Sequence, residues 1–290
     1  FCLYFLQDTF VPKPDNKNRE LAPVHLEIWQ ELQGMFIEDK WDKEEFILPR
    51  GSAKTTIINK ALTCHQHCYS KSKYTIVIGN KESDAIQFIS DTRKMLGNEH
   101  IVKSFGELVV QSKDRTLNKQ EIELNNDTKI QAYSWGSSVR GTKYDGSRPT
   151  LVILDDILSE KDILTEGAKE KVVKKYYTEV EEVGDEAVYR NGKKISPATK
   201  FIVLGTPLAP DCFVNTIKKD STFKIFHKRV VDFDIDEYFE KNKYWQMYKK
   251  ILQNDKLDDD ERNIELKKLY IDNIDKMKFP TLWEKYQCDS

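Results

Sequence analysis

Nowhere in the sequence do the roughly 18 consecutive apolar residues of a membrane-spanning helix occur. The apolar opening, Phe1 to Phe10, is interrupted by Gln7 and Asp8 and does not read as a secretory signal. There is little net charge either: the formal value is −2, so no global basic field exists and any nucleic-acid contact must come from a local patch. Cysteines are few and odd in number, Cys2, Cys64, Cys68, Cys212 and Cys288, which argues against a disulfide framework and fits a reducing cytoplasm. Internal repeats and low-complexity tracts are absent as well. What remains is a soluble globular composition, 32% charged, in a 290-residue chain long enough for one large α/β domain with a small appendage. Beginning without Met and ending at Ser290, the chain reads as cut from something longer.

Apolar runs bounded by turn residues recur at Glu45 to Leu48, Tyr74 to Ile78, Lys129 to Tyr133, Leu151 to Leu154 and Lys200 to Leu204, and these predict strands. Helix-length stretches lie between them at Ala53 to Tyr69, Glu82 to Leu96 and Glu166 to Val180. The alternation predicts a mainly parallel sheet flanked by helices. Glu121 to Leu124 before Thr128, and Ala187 to Arg190 joined to Lys193 by Asn191-Gly192, predict hairpins, the second with a type I′ turn. Beyond Asp232 the pattern turns helical, over Asp236 to Leu252 and Asp258 to Met277. The expected division is therefore a core over 1–231 and a small helical lid or linker subdomain over 232–290.

The chemistry begins where a short strand runs through Pro49-Arg50-Gly51-Ser52-Ala53 into Lys54-Thr55-Thr56 and a helix. Small residues let backbone amides close round a phosphate, the new helix adds its positive end, Lys54 reaches the β/γ-phosphates and Thr55 ligates Mg²⁺. Leu48 and Ala53 stand where the usual phosphate-loop spacing has glycines, and an ordinary strand-to-helix turn is the bland alternative. A second buried strand, from Thr150, delivers Asp155 and Asp156 at its C-terminal edge, where α/β sheets bind ligands. There Asp155 can position Mg²⁺ and Asp156 can orient or deprotonate water, though Asp-Asp after a strand also suits a plain turn. A third strand ends in Gly205-Thr206-Pro207, where a hydroxyl can sense a γ-phosphate. The three motifs follow one another in the order a nucleotide-hydrolysing core requires.

These segments resemble the ATPase domain of viral and bacteriophage large terminases. Leu21-Ala-Pro-Val-His25-Leu-Glu-Ile-Trp29 resembles their adenine-side segment, and Pro49-Arg-Gly-Ser-Ala-Lys-Thr their deviant phosphate loop. Ser137-Ser-Val-Arg140-Gly141 through Arg148-Pro149, leading into the Asp155 strand, resembles their Arg-Gly loop. The likeness spans roughly Leu21 to Pro207, and Pro280-Thr-Leu-Trp283 resembles the family's boundary ahead of a nuclease domain. It implies a P-loop NTPase fold of the ASCE type, with ATP and Mg²⁺ as ligand and metal. Arg50 to Thr56 and His25 would bind nucleotide, and Thr55 and Asp155 the metal. Lys54, Arg50, Asp156 and Arg140 would act in catalysis, and Gly205-Thr206 would couple hydrolysis to movement. Asp156 departs from the family's usual Glu. The implied activity is ATP-driven packaging of double-stranded DNA into a procapsid, in the cytoplasm of an infected host cell. Implied partners are a ring of identical subunits, a capsid portal and a small terminase subunit. A helicase-like DNA-stimulated ATPase and a non-hydrolysing nucleotide-binding assembly module stay open as alternatives.

Weaker features have plainer readings. Cys64, His65, His67 and Cys68 share one helix and cannot converge on zinc. Asp232, Asp234 and Asp236 suit a helix N-cap better than a two-metal nuclease. Lys218, Lys219, Lys224, Lys228 and Arg229 form a local basic patch able to touch a DNA backbone, although such runs usually solvate a surface. Arg140 lies in a Ser- and Gly-flanked loop that reads as too mobile to be core.

Overall fold

The computed structural model describes residues 1–14 and 20–283; Cys288 lies outside them. Among the described residues nine strands form in chain order: β1 Lys43–Ile47, β2 Tyr74–Gly79, β3 Glu121–Glu123, β4 Lys129–Ser134, β5 Leu151–Asp155, β6 Val188–Arg190, β7 Lys193–Ser196, β8 Lys200–Gly205 and β9 Lys224–His227. Seven of them make one sheet in the order β3-β4-β2-β5-β8-β1-β9. Every pairing in it is parallel except β3 with β4. β2 and β8 are buried along their whole length, which is why they read as unbroken apolar runs and not as alternating ones. Helices Glu82–Leu96 and Glu166–Lys175 match the sequence expectation at their start.

Register decides where chemistry can occur. Ile47 pairs with Gly205, Leu204 with Asp155, and Asp155 with Gly79. The C-terminal ends of four adjacent strands therefore finish level. The phosphate-loop candidate leaves β1, the double carboxylate leaves β5, and β8 with its Gly205-Thr206 end lies between them. At Gly205 an added Cβ would stand 2.4 Å from a Val214 methyl carbon, so only glycine lets the following helix pack there.

Several details differ from the sequence expectation. The helix after the phosphate-loop candidate starts as a π-helix, Thr55–Ala61, before continuing as Leu62–Cys68, and Glu166–Lys175 passes into a second π-helical stretch, Tyr176–Val180. β9 lies inside the basic run that reads as solvated surface, because its polar positions belong to an edge strand beside β1. The second hairpin forms as expected, with φ of 51° at Asn191 and 74° at Gly192.

The chain divides into two compact units, Phe1–Leu21 with His25–His227, and Ala22–Val24 with Lys228–Ser290. In the second, the expected long helices are each broken at an asparagine, giving Ile235–Lys241 and Lys243–Leu252 around Asn242, and Asp259–Asp272 and Ile274–Met277 around Asn273. Asp234 caps the first of these through the Glu237 amide, which is the plainer role for that acidic run. No helix among the described residues is long and apolar enough to cross a membrane.

β1 carries two buried carboxylates on opposite faces. Glu44 receives the Trp41 indole N–H at 2.9 Å, whereas both oxygens of Glu45 are buried without a hydrogen-bond partner. Burial pushes Glu44 up to about 8 and Glu45 to about 9, from an ordinary value of 4.5. The folded chain keeps these protons where the unfolded chain releases them, so stability is lost progressively as pH rises from about 4.5 towards 9. Glu45→Gln, which mimics the protonated acid, should flatten that decline and raise the melting temperature near pH 8.5 while changing it little at pH 5. Melting curves of both proteins across this range check it; parallel curves would remove Glu45 as the cause.

Candidate functional site

The loop from β1 turns sharply, with positive φ at Gly51 (76°) and Ala53 (63°). Ala53 thus holds a left-handed conformation that a non-glycine residue seldom adopts, at a cost of about 1–2 kcal/mol. Strain of this kind is retained where a loop must wrap something. His25 is fully buried and its Nε2 donates to the Ser52 carbonyl at 3.2 Å. It therefore braces the loop from behind. Ser52 is likewise buried, while Gly51, Ala53 and Arg50 line the cleft in front.

Lys54 comes next, 6% exposed at its side chain, with its ammonium 2.9 Å from Asp156 and donating over 2.9 Å to the Thr206 hydroxyl. Thr206 in turn donates to the Leu48 carbonyl at 3.2 Å. One lysine therefore joins the ends of β1, β5 and β8. Asp156 sits at φ 44° and is half exposed, so its carboxylate faces the cleft. The cleft encloses about 460 Å³, with Leu158, Leu208 and Phe213 on its apolar wall.

Asp155 is held from the neighbouring helix. Thr55 Oγ1 donates to one carboxylate oxygen at 3.1 Å and Asn59 Nδ2 to the other at 2.8 Å. Burial raises its proton affinity, opposed first by the Asn59 bond, and the Asp156 charge raises it further. A recess of about 260 Å³ lined by Thr55, Asn59, Asp84, Asp155 and Asp156 adjoins this pair. Asn59 belongs to none of the sequence motifs. Its signal is positional: a polar residue in the run Ile57-Ile58-Asn59, four places after Thr55 and hence on the same helix face. Thr56 is half-buried and lines neither recess.

The donors fit the expected ligands. Magnesium typically takes one or two carboxylates and completes its shell with phosphate and water, and Thr55 with Asp155 offers that sparse set. Among the described residues no cluster of three or more His, Cys, Asp or Glu side chains is placed to hold a metal. His67 is buried between the Thr128 and Thr75 hydroxyls, at 2.8 and 2.9 Å, and burial lowers it to about 3, so it serves as a neutral structural group.

Arg140 lies outside the cleft, donating to the Thr178 carbonyl at 2.9 Å. Its loop is anchored to the core, contrary to the sequence expectation of a loop free of it. Val139 is 1% exposed in the core, and Lys175 donates to the Trp135 and Ser137 carbonyls, so one apolar side chain and one buried-side ammonium anchor a polar segment. Arg148 binds the Glu182 and Gly184 carbonyls and pairs with Asp185. Within the basic run, Lys224 lies 3.7 Å from Glu31 and over the Trp41 ring, and Lys218 meets His227; Lys228 and Arg229 belong to the second unit.

Neither protein-family models nor curated proteins give a match to the chain. Among solved structures it is similar to the HK97 bacteriophage large terminase, at 13% identity and a TM-score of 0.48, over 94% of this chain and 52% of that one. It is also similar to the Phi-28 gp11 DNA packaging motor, at 10% identity and a TM-score of 0.40, over 75% of this chain and 64% of that one. The chain thus spans less than two thirds of the length of either. No residue role follows from likenesses of this strength.

Replacing Asn59 by Ala leaves one oxygen of a buried carboxylate without its donor, which should cost about 1–3 kcal/mol. The same change should raise the magnesium concentration needed for nucleotide binding. Denaturant unfolding and a magnesium titration with a fluorescent nucleotide check both; an unaltered magnesium requirement would leave Asn59 with a packing role only.

Proposed function

We propose that this chain hydrolyses ATP with Mg²⁺ and uses the energy to move double-stranded DNA, as the motor part of a viral packaging machine. The observation that carries the reading is the Lys54 junction, where one ammonium meets a cleft-facing carboxylate and a strand-end hydroxyl beside a strained small-residue loop. The Arg-Gly loop and adenine-side motifs support the DNA-packaging part.

In this mechanism the loop amides from Gly51 to Thr55 receive the phosphates, and Arg50 and Lys54 neutralise them. Thr55 and Asp155 would hold magnesium, which when bound draws charge from the β/γ-phosphate oxygens. Entry of a triphosphate gives the Lys54 ammonium a stronger partner than Asp156. Asp156 is then released to orient and deprotonate water, so that its activation depends on nucleotide being present. Thr206, sharing Lys54, reports loss of the γ-phosphate to the segment after β8, and Gly205 lets that segment lie close. Arg140 would reach a neighbouring subunit's nucleotide after giving up its bond to Thr178, a net loss of about 0.5–1.5 kcal/mol against a rate gain on the order of 10³ to 10⁵ for such fingers. A ring of identical subunits, a portal, a small terminase subunit and the host cytoplasm belong to the same proposal.

A second reading, a nucleotide-binding assembly module without hydrolysis, is favoured by the short, left-handed Asp156 being tied to Lys54. Steady-state ATP turnover with and without duplex DNA separates the two, and a strand-separation assay separates a duplex translocase from a helicase.

Lys54→Ala should abolish turnover, whereas Asp156→Asn should keep nucleotide affinity within a few-fold and slow the chemical step at least a hundredfold, roughly the usual weight of a general base. Single-turnover kinetics beside equilibrium binding check this; equal losses in both would take the base role from Asp156. Arg140→Ala subunits mixed with Lys54→Ala subunits should partly recover activity. Mixtures that assemble yet stay inactive would end the trans role.

A further inference from the structure

In the helical unit, helix Lys243–Leu252 opens on a lysine and has no acidic residue in its first turn. A cation there opposes the helix dipole. Asn242 caps the helix, accepting from the Tyr244 amide at 3.0 Å, and its Nδ2 donates to the Lys276 carbonyl at 2.9 Å. Trp245 Nε1 donates to the Met277 carbonyl at 3.1 Å and the Tyr238 hydroxyl to the Lys278 carbonyl at 3.3 Å. Three successive carbonyls are thus clamped, which fixes the Lys276 turn against the helix start.

The clamp brings two ammonium groups to one ring. Lys243 Nζ lies 5.0 Å and Lys276 Nζ 5.3 Å from the Tyr244 centroid. Among the described residues neither has a carboxylate partner, whereas the adjacent Lys241 is paired with Glu237. Hydrogen bonding to Lys276, followed by the nearby lysine charges, lowers the Tyr244 phenol below its ordinary range, in keeping with a positive local potential. These groups share an open recess of about 400 Å³. Like charges fixed together without a counter-charge are unfavourable unless an anion neutralises them.

We propose that Lys243 and Lys276, set about Tyr244, form a contact for the phosphates of duplex DNA. The proposal rests on the DNA-translocating reading above. Ammonium groups and a phenol at an open surface suit phosphodiester oxygens, and such contacts are sequence-independent, as translocation along any sequence requires.

The test measures binding of a short labelled duplex to the whole chain from about 50 to 200 mM salt. K243A/K276A should weaken binding about tenfold or more and reduce the slope of log K against log salt by roughly 1.8, the value for two phosphate contacts. K243R/K276R should bind like the parent, and basal ATP turnover should be unchanged in both. K249A/K250A removes the same charge from the far end of that helix and should leave slope and affinity alone. A double alanine variant that binds like the parent, or a control variant that loses as much, overturns the site. Parent protein that binds duplex while K243A/K276A matches it defeats this inference alone; parent protein that binds no duplex defeats the packaging reading and the site together.

Discussion

The structure of the candidate site depends on one ammonium group. Lys54 is buried at a place where Asp156 and Thr206 both reach it, and those partners come from segments about a hundred and a hundred and fifty residues away in sequence. A buried ammonium without such partners would destabilise the fold. Level strand ends make the meeting possible, because the Ile47–Gly205 and Leu204–Asp155 pairings put three loops at one sheet edge. A slip of one residue in either pairing would turn the side chains of that strand to the other face and dissolve the junction.

Around that junction the chain accepts local unfavourable features. Ala53 and Asp156 hold left-handed conformations, Asp155 is a buried carboxylate, and Glu44 and Glu45 are kept protonated within the strand that leads into the loop. Two of them are offset by their surroundings: the Leu204 carbonyl accepts from the Asp156 amide at 3.0 Å, and Thr55 with Asn59 satisfies Asp155. Concentration of such features at one sheet edge is what a functional site leads one to expect.

Much of this was legible in the sequence, for physical reasons. Buried strands give nearly unbroken apolar runs, so β2, β5 and β8 are apparent, and half-buried β4 shows as an alternation, while the Asn191-Gly192 turn is marked by a backbone that only such residues adopt readily. β9 was hidden because an edge strand with lysines resembles solvent-facing loop. The anchoring of the Arg140 loop was hidden too, since a single Val139 among polar residues carries no periodicity. Strand order also lies beyond local pattern, because it depends on which strand β8 inserts beside. The site motifs were readable one by one, but their convergence on Lys54 is a property of register.

Asn59 shows the same limit from another side. Local pattern marks it as an anomaly, a polar group in a helix stretch flanked by buried isoleucines, and by itself that anomaly has no direction. Only the sheet supplies one, by placing Asp155 within 2.8 Å of its amide. The partner also explains the orientation of the amide, since its N–H donates to the carboxylate while its own oxygen stays buried without a donor. Leaving that oxygen unsatisfied costs free energy, and satisfying a charged acceptor recovers more than a neutral bond would. The balance favours the carboxylate, so the helix that follows β1 is bound to the strand carrying Asp155, and the two sides of the cleft are held in register by a pair of side chains four residues apart.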